Sequence, residues 1–429
     1  MKALKQVFGG NLQQYTMVIA LVVLAIAFHI MSNGKMLTSS NLQNLVTGNA
    51  YVFVLAIGMV MVIVVGHIDL SVGSVAAFVA MVVAATSAAY NLPWYLGVLI
   101  GMVAGALIGA WHGFWLSKVG IPGFITTLAG MLIFRGLVIW ISGSVSKPAP
   151  EEFRIFGAGY LPEWGPAATG MNNSTLLLGL LAITFFTWSQ FRSRARALQV
   201  GTEQELWIPI TRSVLIAVVI GYLTYAFASG RPGTSFPIPG LILVALVAIY
   251  HVITQRTRFG RHIYAVGGNK SAAALSGVSV PRTYFLVMLN MSFLASIAGM
   301  LFMGRATSAG PSDGNMWELD AIAAVFIGGA AGPGGGARRG PRLGGGAAVS
   351  GGIGTVVGSV VGGLVMATLN SGLMLMGVGQ DRTQVIKGLV LLAAVAFDVY
   401  NKQQGRPSLT GLLAKRKPEG EKESAPTAS

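Results

Sequence analysis

Long apolar runs, divided by short polar breaks, confine this chain to a membrane more firmly than any single motif does. A helix needs about 20 apolar residues to cross a hydrocarbon core about 30 Å thick. Runs of that kind occupy 14–31, 46–65, 71–89, 95–116, 121–141, 174–191, 211–228, 236–253, 283–303, 319–331, 352–376 and 384–400. The run 319–331 is short, which marks it as a re-entrant or broken helix. Charged residues make up 10% of the chain and hydrophobic ones 53%, a balance with which a soluble globule could not cover its core. The expected fold is an all-α polytopic membrane protein with about 11–12 transmembrane helices. The glycines follow no G-x-y period, which excludes collagen, and the absence of Cys excludes disulfides, thiolate metal sites and iron–sulfur ligation.

The net charge of +15 does not point to nucleic acid, because the basic residues fall in short segments between apolar runs and form no basic face. With Lys2 and Lys5 inside, the inside segments also hold Lys118, Arg192, Arg194, Arg196, Arg212, Arg256, Arg258, Arg261, Lys270 and Arg282. Loops 142–173 and 304–320 then fall outside. There Glu151, Glu152 and Glu163 offset Lys147 and Arg154, and Asp313, Glu318 and Asp320 offset Arg305. Both termini are therefore expected in the cytoplasm. Residues 1–12 are too short, and lack the cleavage site, for a removable signal. Residues 402–429, rich in Lys, Glu, Ser, Pro and Gly, read as a disordered cytoplasmic tail, leaving 1–401 as the membrane domain.

Gly97, Gly101, Gly105, Gly109 and Gly113 make an i+4 row along one span, and Ser350, Gly354, Gly358 and Gly362 repeat the idea on another. In lipid, small residues let helices approach closely enough for packing to hold them together. Tight packing within the chain or a dimer interface would each use such a row.

The five His show no metal spacing. His29, His112, His251 and His262 are expected near span ends, at the interface. His67 is different, because it opens His67-Ile68-Asp69-Leu70-Ser71 between two apolar runs. A carboxylate there needs a partner, water or a helix terminus. Asp69 or Ser71 either caps the third span or lines a substrate path. Arg135, well inside the fifth span, either snorkels to the outer headgroups or pairs at a polar cavity. Asn290 and Asn370 are mid-span amides, suited to hydrogen bonds between helices or to ligand contact.

Two nucleotide-site resemblances fail. Gly267-Gly268-Asn269-Lys270-Ser271 lacks the glycines of a phosphate-binding loop, and Leu275-Ser276-Gly277-Val278-Ser279 lacks the Gly and Gln of an ATPase signature. Nor does any Ser/His/Asp or paired-carboxylate arrangement make an enzyme site. The inside loop 254–282 is more informative. Asn269 is a good N-cap, Lys270 to Ser276 is Ala-rich and helix-prone, and Gly277 is a natural stop. A capped two-turn helix flanked by Arg would serve as a docking knob for a partner, or as a plain solvated loop.

That loop carries a resemblance. Gly260 to Asn269 followed by Ala272-Ala273-Ala274-Leu275-Ser276-Gly277-Val278 resembles the cytoplasmic coupling loop of bacterial monosaccharide ABC-importer permeases. Ile68 to Ser74, Thr127 to Met131, Phe134-Arg135-Gly136, Glu318 to Ala324 and Val385 to Val390 are similar to other motifs of that family, in order. The extra span near 211–228 resembles the D-xylose and multiple-monosaccharide branch rather than the shorter ribose permease. The resemblance implies a homodimeric, multi-pass subunit of the bacterial inner membrane. It would take a monosaccharide from an extracytoplasmic sugar-binding protein, while a separate cytoplasmic ATPase docks on 254–282 and binds the ATP and Mg. This chain would bind no cofactor of its own. The coupling contacts would come from Arg261, Gly267, Gly268, Asn269, Ala272, Ala273, Ala274, Leu275 and Gly277. In that family the stretch similar to Ile327 to Ala331 runs almost directly into the one similar to Val349 to Gly352. Here a Gly/Arg-rich insert, 332–348, intervenes on the cytoplasmic side, where an insertion is topologically tolerated. The alternatives are an ion-coupled secondary transporter using Asp69 or His67 at a broken helix, and an ABC permease for branched-chain amino acids or nucleosides.

Overall fold

Each of the twelve apolar runs contains a helix. The computed structural model describes residues 12–166, 170–199, 205–231, 233–328 and 354–403. In chain order the elements begin with α1 (Leu12–Met31), α2 (Ser39–Val64), α3 (Val72–Tyr90), α4 (Trp94–Phe114, prolonged by a π turn Trp115–Val119) and α5 (Gly123–Ser142). A two-residue strand β1 (Lys147–Pro148), a short α6 (Phe153–Ala158), α7 (Asn173–Gln199), α8 (Trp207–Ala228) and α9 (Ile238–Arg256) follow. The second half holds α10 (Arg258–Gly268), α11 (Lys270–Leu275), α12 (Val280–Ala306), β2 (Ser308–Ala309), α13 (Trp317–Ile327), α14 (Val356–Leu375) and α15 (Gln380–Gln403). Ser350, the insert 332–348 and the tail beyond 403 lie outside the described residues.

Among the described residues nine helices are long and apolar enough to cross a membrane: α2, α3, α4, α5, α7, α8, α9, α12 and α14. The short run expected at 319–331 is the 11-residue α13, about 16 Å long at 1.5 Å per residue, half a span. The described apolar part of α1 is Met17–Met31, short of a span. α15 carries Asp381, Arg382, Lys387, Asp398 and Lys402 along its length, which lowers its hydropathy.

The bundle centres on α2, whose residues Val52 to Val64 are all buried, as an all-round apolar helix must be. α12 and α3 pack on it. Glycine decides how closely α4 joins them. A Cβ at Gly97 would stand 3.3 Å from the Phe153 ring, and one at Gly101 2.7 Å from Met300 Sδ. At Gly105 it would meet Ser296 Cβ at 2.6 Å and the Ser292 carbonyl oxygen at 2.8 Å; at Gly113, the Phe285 ring at 2.8 Å. At Gly109 it would stand 2.5 Å from Leu289 Cα. The whole row thus faces neighbours in its own chain, with backbones touching at Gly109. Gly358 and Gly362 lie against the end of α13, at Ala324 and Gly328. Gly354 precedes α14, so the second row is not continuous along one helix.

Loop 142–173 is more structured than a plain connection. β1 pairs antiparallel with β2, Lys147 opposite Ala309, and Gly157 of α6 lies against Gly304 of α12. α7 and α8 pair with each other, Gly179 against Thr224, and turn Leu180, Phe185, Val218 and Val219 outward as a lipid-facing surface would.

Two expectations are overturned. His112 is fully buried rather than interfacial, because the π turn carries the helix on to Val119 and leaves His112 two turns inside its end. Glu318 and Asp320 are not loop charges. α13 begins at Trp317, so both sit in its first turn, Glu318 buried and Asp320 paired with Lys387 of α15 at 2.9 Å.

Candidate translocation site

α2 ends where Gly66 takes a φ of +88°, a conformation glycine adopts without strain. The His67 N–H closes back on the Val62 carbonyl at 3.0 Å, as at many helix C-termini. From there to Ser71 the chain is non-helical inside the bundle. Backbone groups in such a place need partners, and Thr127 of α5 supplies two. Its hydroxyl lies 3.3 Å from the Ile68 carbonyl as donor and 3.2 Å from the Leu70 N–H as acceptor.

Asp69, 1% exposed, accepts through Oδ1 from the Ser71 N–H at 2.8 Å and from its hydroxyl at 2.6 Å. Ser71 is the N-cap of α3 yet makes no side-chain cap bond. The expected cap is therefore replaced by an Asx turn that sets the entry into α3, because the Ser71 hydroxyl is drawn to the carboxylate instead of the free N–H groups. Asp69 Oδ2 is buried without a hydrogen-bond partner.

The half-helix α13 meets this segment. Gly314, at φ +76°, lies against the Gly73 carbonyl. A Cβ on Gly73 would stand 2.5 Å from Glu318 Oε2, itself buried and unpartnered. Both carboxylates sit at helix N-terminal ends, where the positive end of the helix dipole favours negative charge. Arg135 of α5 donates through Nη1 to the Asp313 carbonyl at 2.7 Å. The Asp313 carboxylate accepts from the Gly310 N–H at 2.7 Å, and burial raises its pKa. His112 lies beside Gly130, one turn along α5 from Thr127, and 5.8 Å from the Phe134 ring; neither of its nitrogens has a partner.

Asp69, Ser71 and Arg135 thus gather around the meeting of α3 and α13, while the two amides make their contacts elsewhere. Asn290 accepts from the Tyr250 hydroxyl at 2.6 Å, tying α12 to α9. Asn370 lies on α14, its carbonyl oxygen unpartnered. His112 was missed because nothing local distinguishes a buried His near a span end. Glu318 carried a signal, its position two residues before Asp320 in a short apolar run.

At the other end of the bundle the chain builds a rigid knob. Thr257 caps α10 by accepting from the Gly260 N–H at 3.2 Å. Asn269 caps α11 by accepting from the Ala272 N–H at 2.9 Å. Gly277 at φ +83° ends it, with the Val278 N–H on the Ala273 carbonyl. α10 went unrecognised in the sequence, although Gly260, Ile263 and Gly267 keep a helical spacing and are buried. Val266, Ala273 and Val280 form a small core under the knob. Arg261, Gly268, Ala272 and Ala274 stay exposed, and Leu275 is 91% exposed. Tyr264, its pKa pushed up to about 12 by burial, donates to the Gly354 carbonyl and ties α10 to the start of α14. Lys270 lies over the Tyr284 ring at 5.4 Å, and that ring meets His67 at 4.5 Å. Tyr284 of α12 therefore links the knob to the segment that carries Asp69.

Among the described residues no group of three or more His, Asp or Glu could hold a metal ion. No solved structure matches the chain. It is 33% identical over 395 residues to the xylose transport system permease protein of Haemophilus influenzae, covering 92% of this chain and 98% of that protein. The corresponding Escherichia coli protein is 35% identical, covering 92% and 93%. The ribose import permease protein of Bacillus subtilis is 30% identical, covering 91% and 94%. The family model described as branched-chain amino acid transport system / permease component matches residues 41–395, so the chain belongs to that permease family, alongside the xylose and ribose permeases.

Proposed function

We propose that this chain is the membrane-spanning subunit of an ATP-driven importer that carries a monosaccharide, of the xylose type or several sugars, across the bacterial plasma membrane. It works as a homodimer, receives the sugar from an extracytoplasmic binding protein and leaves ATP hydrolysis to a cytoplasmic ATPase. The observation that carries this reading is the capped helix α11, which presents Leu275 almost wholly to solvent on a buried footing. An isolated exposed Leu needs no explanation, but one held at the tip of a doubly capped helix is suited to enter a partner's groove. The relatives that span nearly the whole chain are named for xylose and ribose, which favours a sugar over the amino acids in the family description. Closure of the ATPase pair would push α11, and the chain would answer by shifting packed helices between two arrangements.

The test is reconstitution with the cognate ATPase and binding protein. Leu275→Glu is expected to abolish co-purification of the ATPase and sugar uptake, while the permease still purifies as a single species. Uptake that resists vanadate and collapses with an ionophore would instead mark an ion-coupled transporter.

A further inference from the structure

We infer that the meeting point of α3 and α13 is an intramembrane sugar subsite, where the hydroxyls of a pyranose are received by Asp69, Glu318 and His112. The inference rests on the sugar-importer reading and adds to it the groups that handle the substrate inside the membrane.

Three separate elements deliver these groups: the non-helical segment before α3, the first turn of the half-helix α13, and α4. Each is more than nine-tenths buried. Each also keeps a polar atom without a partner: Asp69 Oδ2, Glu318 Oε2 and both nitrogens of His112. Ser74 Oγ, one turn into α3, is buried and unpartnered as well. Glu318 Oε2 lies against Gly73, four residues on from Asp69, and His112 lies against Gly130, one turn along α5 from the Thr127 hydroxyl that holds the Ile68 and Leu70 backbone. Buried polar atoms normally find partners. Several left open together mark a place completed by something else, here where two broken helices meet.

The chemistry of the gap selects its occupant. Carboxylate oxygens accept, a neutral imidazole donates at one nitrogen and accepts at the other, and a serine hydroxyl does both. A sugar hydroxyl is likewise donor and acceptor at once, so a ring carrying several of them can satisfy all these groups. An amino acid fits worse, since its carboxylate would meet two carboxylates, while Arg135 is already turned to the Asp313 carbonyl. In the present arrangement the subsite is closed. Gly73 and Gly314 touch there without side chains, so parting α3 from the turn before α13 is the movement that would admit the substrate.

The experiment uses the complete transporter in proteoliposomes with its binding protein saturated, offering D-xylose and its monodeoxy analogues. The readout is sugar moved per ATP hydrolysed, and the ratio of xylose to each analogue. Wild type is expected to move at least one analogue about tenfold less well, since a site built to bond a hydroxyl rejects the molecule lacking it. Glu318→Gln and His112→Gln are each expected to flatten that ratio at one hydroxyl while keeping the wild-type unfolding midpoint. If either variant does not purify, Ser74→Ala, which removes a single hydroxyl, carries the same test. Loss of uptake by one common factor for xylose and every analogue, or unchanged ratios, would overturn the subsite and leave the importer standing. A wild-type complex that moves no sugar would overturn the importer reading itself, and the subsite with it.

Discussion

Replacing Gly109 with alanine places one methyl carbon where the structure has no room for it. The new Cβ would stand 2.5 Å from Leu289 Cα, 2.7 Å from the Leu289 carbonyl oxygen and 2.9 Å from that of Met288. Carbon atoms in good contact sit about 3.5–4.0 Å apart, so α4 and α12 must part locally by about 1 Å. Backbone atoms cannot swing away as a side chain does. Overpacking of this kind costs about 1–3 kcal/mol, and a 0.5–1 Å gap forfeits about a quarter to a half of each contact along the seam. Against that, alanine in place of glycine favours the helix by about 0.5–1 kcal/mol. The net expected loss is therefore about 1–2 kcal/mol. Two controls isolate the cause. Gly136 of α5 has nothing within 4 Å of its would-be Cβ, so Gly136→Ala should keep only the helix gain and unfold at or above the wild-type midpoint. At Gly101 the nearest atoms are side chains, Met300 Sδ at 2.7 Å and the Val83 and Val79 methyls at 3.2 and 3.3 Å, which can yield where backbone cannot, so Gly101→Ala should cost less than Gly109→Ala. Thermal unfolding of the detergent-purified proteins measures all three. If Gly109→Ala proved as stable as Gly136→Ala, the α4–α12 seam would not be the backbone contact described here, and the glycine row would need another reason.

His67 gives a pH prediction. Burial, with the Lys270 charge added, pushes its imidazole down from 6.5 to about 4. The folded state thus favours the neutral ring, and the stabilisation is present above pH 6.5 and lost as the pH falls from 6.5 towards 4, by up to about 3 kcal/mol. The unfolding midpoint of wild type should therefore drop relative to His67→Gln across that window, and a constant difference would contradict the burial. Tyr284 links Lys270 of the knob to His67 of the broken segment. Tyr284→Ala should retain the ATPase while lowering sugar moved per ATP; an unchanged ratio would remove Tyr284 from the coupling route.

How much of this was legible in the sequence depended on the range of the forces involved. The cap at Asn269 and the stop at Gly277 are settled within four residues, so α11 could be read from its own residues alone. The glycine row could be seen as a row, but not its partner, since nothing in 97–113 names α12. Asp69 could be singled out as a carboxylate between two apolar runs, yet whether it caps or pairs turned on Ser71, whose hydroxyl could bond forwards or backwards. Glu318 read as an external loop charge because its burial needs α13 to fold inward against Gly73, a contact 245 positions away in the chain.

The same division of range bears on how the machine would move. α12 begins beside the coupling helix and is held by α4 through backbone contact at Gly109 and by the Ser292 and Ser296 turn at Gly105. Two helices so joined have no side-chain layer to shear, and a push on α11 should carry them as one body. α13 is short, interlocks with α14 through backbone at Gly328 against Gly358 and Ala324 against Gly362, and is fastened to α15 by a part-buried ion pair, Lys387 to Asp320. Elements joined by close backbone contact move together as one body, and packed bodies shift against one another between discrete arrangements. Relative motion is therefore expected between the α4–α12 body, with α3 upon it, and α13 with α14. The contact that such motion parts first is Gly73 against Gly314, and the groups it uncovers are the carboxylates of Asp69 and Glu318.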